Sequence, residues 1–456
     1  MQVFVNRWIG CKEGVQGFWF AATRFVRARA WWANCPLHFK LSWCSAWLTL
    51  LAVCSGASAQ TLNSGMVDIA AAVGIAETTH AYHVSVADYN RDGWPDFLFN
   101  RGWSKSMRLY RNTRNKDGTR GFQEDTATNF GITDRLNCQW GDPNVDGRPD
   151  LYCSVGANFG TAVKANQLWI QQADGTFKEQ AAAWGVTDPY GRGRQVTFFN
   201  LNGDKFPDLF VGNEYPRVDG IPSPNRVFVN VFKDGRRQFE ERIIPGVTAE
   251  IGAAACAFAA DVDNDGDDDL FVCGNNGLRI YRNDFRKNKT FVDMAPGLKL
   301  SAYHTDVVAA DVNGDGKRDL ILATPNNVSI WLQTGSWTFR RLQVISWISI
   351  RGLAVADVDG DRDLDVYVLR SQGVSGIGGA KKKPADLLLR NRGNGTFTAQ
   401  IAGSWSTPGI GGRCAAIDHD RDGRAGILVV NSYDTLPQGT RSGPIDWGPL
   451  QLMIQP

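Results

Sequence analysis

The chain has little of what usually betrays an active site. It holds five histidines in 456 residues, and only His80, His83, His304 and His419 lie beyond the first 60. It has no His-Glu-x-x-His, no Gly-x-Ser-x-Gly and no dinucleotide-type glycine pattern. The readable signatures of zinc proteolysis, serine hydrolysis and Rossmann chemistry are therefore missing. There is no surplus of positive charge either. Without residues 1–60 the chain carries 43 basic and 46 acidic residues, a formal net of −3. That balance gives no case for a nucleic-acid partner. The one basic run, Lys381 to Lys383, sits among glycines with Pro384 beside it and reads as a solvated loop.

Long apolar stretches are also lacking. Leu41 to Val53 is a mostly apolar run of 13 residues, too short to span a bilayer comfortably. It follows Arg24, Arg27, Arg29 and Lys40 and precedes Ala57-Ser-Ala59. A basic region, a short apolar run and small residues before a cut site describe a signal peptide. Residues 1–59 are thus expected to be removed on export, leaving a secreted or cell-surface product without a transmembrane span. Leu51 to Cys54 only faintly resembles a lipoprotein cleavage box, because Val53 fits poorly beside the cysteine.

What the chain does have is aspartate at regular places. Asp261-Val-Asp-Asn-Asp-Gly-Asp-Asp-Asp-Leu270 carries side-chain oxygens at places one, three, five and nine: Asp261, Asp263, Asp265 and Asp269. Gly266, at place six, permits a sharp turn. Carboxylates that close repel unless a cation lies between them, and oxygens at alternating places of a tight loop suit Ca²⁺. The pattern recurs. Complete copies are Asp88, Asn90, Asp92 and Asp96; Asp142, Asn144, Asp146 and Asp150; and Asp311, Asn313, Asp315 and Asp319. Asp357, Asp359, Asp361 and Asp365 form another, with Arg362 at the glycine place. Two copies depart further. Asn200, Asn202, Asp204 and Asp208 carry Lys205 at place six, and Asp418, Asp420 and Asp422 are followed by Gly426 at place nine. The expectation is five strong calcium sites and two weak ones.

The seven loops start 54, 58, 61, 50, 46 and 61 residues apart. A second signature follows each: an apolar triplet closing on Asn112, Gln171, Asn230, Asn283, Gln333, Asn391 or Gln455. With apolar runs on both sides of every loop, each unit reads as four short strands, the acidic loop joining the first two. Such repeats mark an all-β protein, a β-propeller. The ends settle the number of blades. Residues 65–75 match residues 176–186 in spacing, Met66 with Phe177, Asp68 with Glu179 and Gly74 with Gly185. The chain thus opens on a fourth strand that lacks its first three, while its seventh unit stops after three. A seven-bladed propeller follows, its last blade closed by the N-terminal strand, which leaves no exposed sheet edge at the join.

The acidic loops between strands resemble FG-GAP (VCBS-type) repeats, the family of the integrin α-subunit propeller and of cartilage acidic protein-like secreted proteins. The resemblance covers residues 62–456. It implies a calcium-binding propeller acting outside the cell in adhesion or recognition, with ligands at places one, three, five and nine and a backbone carbonyl from place seven. The partner it implies is an extracellular protein or glycan, though no Arg-Gly-Asp occurs. The rival class is a propeller-based carbohydrate-active enzyme, a lyase or hydrolase, to which His80, His83 and His304 would contribute from the strand ends before loops one and five.

Cysteines and tryptophans complete the reading. Cys138 and Cys153 flank loop two as Cys256 and Cys273 flank loop four, at the same offset, one residue from the register inferred from the loop ends. Export would allow both pairs to oxidise. Cys414 meets Val429 at the matching place and is expected to remain a thiol. Trp169 and Trp331, at equivalent places, are expected to pack between blades; Trp94 and Trp103 are expected at the surface, where they could stack on a sugar or a partner side chain.

Overall fold

The structure, a computed structural model, describes residues 62–456 apart from residue 80, 101–105, 157–163, 215–222, 249–253, residue 275, 372–384, 403–409 and 433–447. The signal-peptide segment, His80, Trp103 and Lys381 to Lys383 lie outside the described residues. Seven antiparallel sheets make the blades, each running first strand to fourth from the inside out. Blade 4 shows the plan: Ala254–Ala260, Asp269–Gly274, Gly277–Asp284 and Thr290–Asp293, in that order. Its acidic loop spans the gap between the first two strands. The protein is a seven-bladed β-propeller, as the spacing of the loops predicts.

The second strands are the most apolar, and Asp269–Gly274, Asp208–Asn213 and Asp365–Arg370 are buried along their whole length. Their side chains feed clusters that lie between blades rather than within them. Phe271 and Ile280 of blade 4 pack with Val307, Leu320 and Leu322 of blade 5. Phe97 and Tyr110 of blade 1 pack with Leu428, Val430 and Leu452 of blade 7. Seven such clusters hold the ring together, one per junction. Trp169 and Trp331 lie against two of them, as expected of packing residues.

The ring closes as the sequence predicts. Val67 and Asp68 pair antiparallel with Ile454 and Met453, supplying the fourth strand of blade 7. The likeness to blade 2 extends to single hydrogen bonds. Asp68 accepts from the N–H of Ala70 at 3.0 Å, as Glu179 does from Ala181 at 2.8 Å. Gly74 and Gly185 both take positive φ, 82° and 76°, and a Cβ on either would collide with a neighbouring carbonyl oxygen. One feature was not foreseen: Leu62 and Asn63 run parallel to the outer strand of blade 6, so the segment from Leu62 to Asp68 pairs with two blades.

Cys138 pairs directly with Cys153 and Cys256 with Cys273, and both pairs are disulfides with Cα separations of 4.1 and 4.9 Å. The register corrects the inferred one by a residue, because Gly141 rather than Asp142 faces Asp150, and Ala260 rather than Asp261 faces Asp269. The loop's first residue has already left the strand. Cys414 faces Val429, as read from the sequence. Mass spectrometry of non-reduced peptides should recover both cross-links and Cys414 as a thiol. Alkylation of all five cysteines in unfolded, unreduced protein would refute the pairing.

Candidate metal centres

All seven acidic loops lie on one face of the ring, at the outgoing ends of the first strands. Each folds around its place-one side chain. In loop four the N–H of Asp265 donates to Asp261 Oδ1 at 3.1 Å and that of Gly266 to Oδ2 at 3.0 Å. Loops one, two and five repeat both bonds, at Asp88, Asp142 and Asp311. Loops six and seven keep the second one, from Arg362 to Asp357 and from Gly423 to Asp418. A residue at place six must adopt the left-handed region to present its N–H this way. Gly266 does so at 89°, and Arg362 does so at 74° despite its Cβ. Lys205 does not: in loop three Gly203 bonds to Asn200 instead, at 2.8 Å, so this loop is built differently.

The turn gathers carboxylates. Asp261, Asp263 and Asp265 bring oxygens within 4.8 Å of one another, as do Asp357, Asp359 and Asp361, and Asp418, Asp420 and Asp422. Loop seven, expected to be weak for lack of a ninth-place aspartate, therefore gathers its first three carboxylates as well as loop four does. Loops one, two and five have asparagine at place three, with two carboxylates and an amide oxygen in the same frame. Several oxygens are buried yet accept no hydrogen bond, among them Oδ2 of Asp96 and Asp150, and Oδ1 of Asp263 and Asp418. Such orphaned acceptors are costly in a dry site and fit a hard cation. Place-five carboxylates meanwhile hold side-chain cations: Lys287 reaches Asp265 at 3.1 Å, Lys317 reaches Asp315 at 2.9 Å, and Arg148 pairs with Asp146.

The ninth-place aspartates, predicted as ligands, lie outside the three clusters and make a further connection. Each opens the second strand of its blade, almost fully buried, and accepts the N–H of the residue that closes the apolar triplet. These bonds run from Asn112 to Asp96 (2.7 Å), Gln171 to Asp150 (2.7 Å), Asn230 to Asp208 (2.8 Å), Asn283 to Asp269 (2.9 Å), Gln333 to Asp319 (2.8 Å) and Asn391 to Asp365 (2.7 Å). The same Asn and Gln side chains then donate to the place-two carbonyl of the preceding blade's loop. Gln333 bonds Val262 at 3.0 Å, Asn391 bonds Val312 at 2.8 Å, and Asn112 bonds His419 at 2.6 Å. In blades 1 to 6 the two recurring signatures are thus halves of one device that ties a third strand to the preceding blade's acidic loop; Gln455, in the blade without a ninth-place aspartate, accepts from Arg390 and Arg424 instead. The recurrence was visible in the sequence; this role was not.

Burial raises these carboxyls. Asp96 and Asp208 are pushed up to about 7, Asp150 and Asp269 to about 8, and Asp319 and Asp365 to about 6. In Asp96, Asp150 and Asp269 the acidic residues of the same loop add to the effect. A divalent cation in the loop would reverse that repulsion.

Place four is left-handed in every loop, and loop two puts Val145 there at φ 55°. A β-branched residue fits that region badly. Loop four uses Asn264 at the same place, φ 58°. Val145→Asn should therefore stabilise the protein by about 1 kcal/mol, the scale of left-handed strain. Urea denaturation checks this, and an unchanged or lowered midpoint would count against the strain.

Of the histidines, His83 is buried and neutral, held down to about 3 by burial and secondarily by Arg413; His304 is buried before blade 5, and His419 sits at place two of loop seven. Trp94 is not an open stacking surface, because the Arg120 guanidinium covers its ring at 3.4 Å.

Fold and loops together define a β-propeller whose blades carry acidic turns of one repeated design. The FG-GAP-like repeat profile matches at residues 88–153, 142–211, 261–322 and 311–368, just over half of the chain, and the chain belongs to that family. It is similar to cartilage acidic protein 1 of Mus musculus, at 29% identity over 186 residues, and of Homo sapiens, at 28% over 186 residues. Each match covers 38% of this chain and 26% of the relative, so the chain spans about a quarter of the length of the curated relatives it matches. Among solved structures, BBS1N in complex with ARL6DN, soaked with lead, aligns with 87% of this chain and 98% of that one, with a TM-score of 0.51 and 13% identity. That likeness concerns the fold alone.

Proposed function

We propose that the protein is an exported, calcium-binding propeller that acts as an adhesion or recognition module outside the cell. The repeated carboxylate-gathering loop carries the reading, together with its orphaned buried oxygens. Two cross-strand cysteine pairs and an N-terminal segment with signal-peptide features support export, and among the described residues no helix is long and apolar enough to cross a membrane. Calcium here holds a scaffold, since these loops tie one blade to the next. Equilibrium dialysis against Ca²⁺ should find five or six ions per chain, with loop three the exception; one or none would defeat the metal assignment. A glycan array and a pull-down on the intact protein test recognition, the expected result being a ligand recovered unaltered. Turnover of a polysaccharide would favour an enzyme.

A further inference from the structure

The crevice between blades 1 and 2 holds a cavity of about 800 Å³, within the size range of small-molecule sites. Loop one lines it with Asn90 and Arg91, the third strand of blade 1 with Arg111, and the outer turn of blade 2 with Gln172 to Thr176. Arg111 shares its strand face with Leu109, which packs in the cluster between these two blades. The floor is aromatic. Tyr89 and Phe177 line the cavity, Tyr89 stacking on Trp140 at 6.1 Å and Phe177 packing on Phe130 at 5.5 Å. The Cys138–Cys153 disulfide belongs to the same cluster. Gln171 ties the two blades here, its amide donating to the Tyr89 carbonyl at 3.0 Å. The site is preformed.

Most charged groups in the lining are already engaged. Asp125 accepts from the Tyr89 hydroxyl at 2.6 Å and from the N–H of Ala127 at 3.0 Å. Asp174 accepts the N–H and the hydroxyl of Thr176 at 3.0 and 2.6 Å. Arg148 donates to the Gln171 carbonyl at 3.2 Å and pairs with Asp146. Arg91 and Arg111 differ. Both are exposed, both line the cavity, and neither has an ion pair or side-chain hydrogen bond among the described residues.

The other blades show how unusual this is. Place four is arginine only in loops one and seven, and Arg421 of loop seven lies over the Trp94 ring. The residue before the amide that closes the triplet is arginine in blades 1, 4 and 6. Arg282 of blade 4 pairs with Asp284 at 2.7 Å, and Arg390 of blade 6 with Asp365 at 3.3 Å. Blade 1 alone has arginine at both stations, and both line one cavity unpaired. A single exposed arginine needs no account; two such in one cavity leave its open donors cationic and suit a ligand oxyanion. Apart from Tyr89 and Phe177, every lining side chain larger than alanine is polar. Apolar peptide residues would gain little there, whereas hydroxyls would meet Thr128, Asn129 and Gln172. A sugar ring offers hydroxyls at its edge and C–H groups to an aromatic floor.

We propose that this cavity binds an acidic saccharide, its carboxylate or sulfate held by Arg91 and Arg111 and its ring seated on the aromatic floor. The proposal rests on the reading of the propeller as a recognition module and names the class of ligand. Titration calorimetry on the intact protein in Ca²⁺ tests it, with tetragalacturonate and a heparin tetrasaccharide as probes and chitotetraose, hexaglutamate and sodium sulfate as comparisons. At least one acidic tetrasaccharide should bind, more weakly as NaCl is raised. Which one does so tells carboxylate from sulfate. Arg91→Gln with Arg111→Gln should weaken binding about tenfold or more. Ala127→Trp, which fills the cavity without altering charge, should do the same. Arg114→Gln with Lys116→Gln removes equal charge from exposed residues outside the cavity and should leave affinity unchanged. The site is overturned if neither acidic saccharide binds, if chitotetraose binds as well, if hexaglutamate binds more tightly, if sulfate alone matches them, or if the cavity variants bind undiminished. A protein that takes up Ca²⁺ and recovers some other ligand, but no acidic saccharide, sinks the cavity alone. Saccharide binding and melting that are both indifferent to chelator leave the cavity standing and sink the calcium-held module.

Discussion

Chelating calcium should lower the melting temperature by on the order of 10 °C. Extracellular calcium modules bind with Kd around 10⁻⁴–10⁻³ M. At ten times Kd each occupied site adds roughly 1.4 kcal/mol, so five independent sites add about 7. For a domain of this size that corresponds to a shift of about 10 °C. The effect should also depend on pH, with a sign set by the ninth-place aspartates. Their folded pKa values, from about 6 at Asp319 to about 8 at Asp150, lie above the ordinary carboxylate value. Between pH 4 and 8 the folded chain therefore binds more protons than the unfolded one, and metal-free stability falls as pH rises through that window. Bound Ca²⁺ favours the ionised carboxyls and offsets this loss, so the gap between calcium and chelator curves should widen from pH 5.5 to 8. Asp265→Ala should remove part of the gap, since it deletes one proposed ligand and leaves the turn's Asp261 bonds in place. Scanning calorimetry at three pH values decides the matter. Superimposed curves at every pH would end the metal reading.

The parts legible in sequence were those enforced by short-range chemistry. A turn that folds around its own first carboxylate needs specific residues at fixed offsets, so Asp261, Asp265 and Gly266 announce themselves. Blade number followed because the loops are phased and because Met66 to Ile75 repeats the chemistry of Phe177 to Val186. Longer-range contacts left weaker traces. That Asn391 holds the carbonyl of Val312, 79 residues away, cannot be seen from an apolar triplet ending in asparagine. Loop seven was ranked low for its missing ninth-place aspartate, yet that place serves the backbone of the third strand in the other blades. The pairing register was misread by one residue because the strand ends before the loop's first oxygen.

Removing residues 62–75 should leave the propeller open and prone to associate. The segment supplies the outer strand of blade 7, and without it the backbone of Gln451–Ile454 becomes an unpaired edge. It also fills two junctions, with Met66 packed between blades 6 and 7, and Val73 and Ile75 between blades 7 and 1. Burying three side chains of that size is worth about 6 kcal/mol. The parallel pairing of Leu62 and Asn63 with blade 6 is lost as well. A loss on this scale consumes much of the stability of an ordinary domain, and the exposed edge offers a template for a second chain. The truncated protein should elute from a sizing column as oligomers or aggregate and lower its urea midpoint. A peptide spanning residues 62–79, added in excess, should restore the monomer by strand addition, because pairing and pockets together specify that edge. Asp68→Ala is the milder counterpart: it removes the acceptor for the N–H of Ala70 and Leu452, at 3.0 and 3.2 Å, and should cost about 1–3 kcal/mol without opening the ring. A truncated chain that stays monomeric with its midpoint unchanged would show that the ring is closed by something other than this strand.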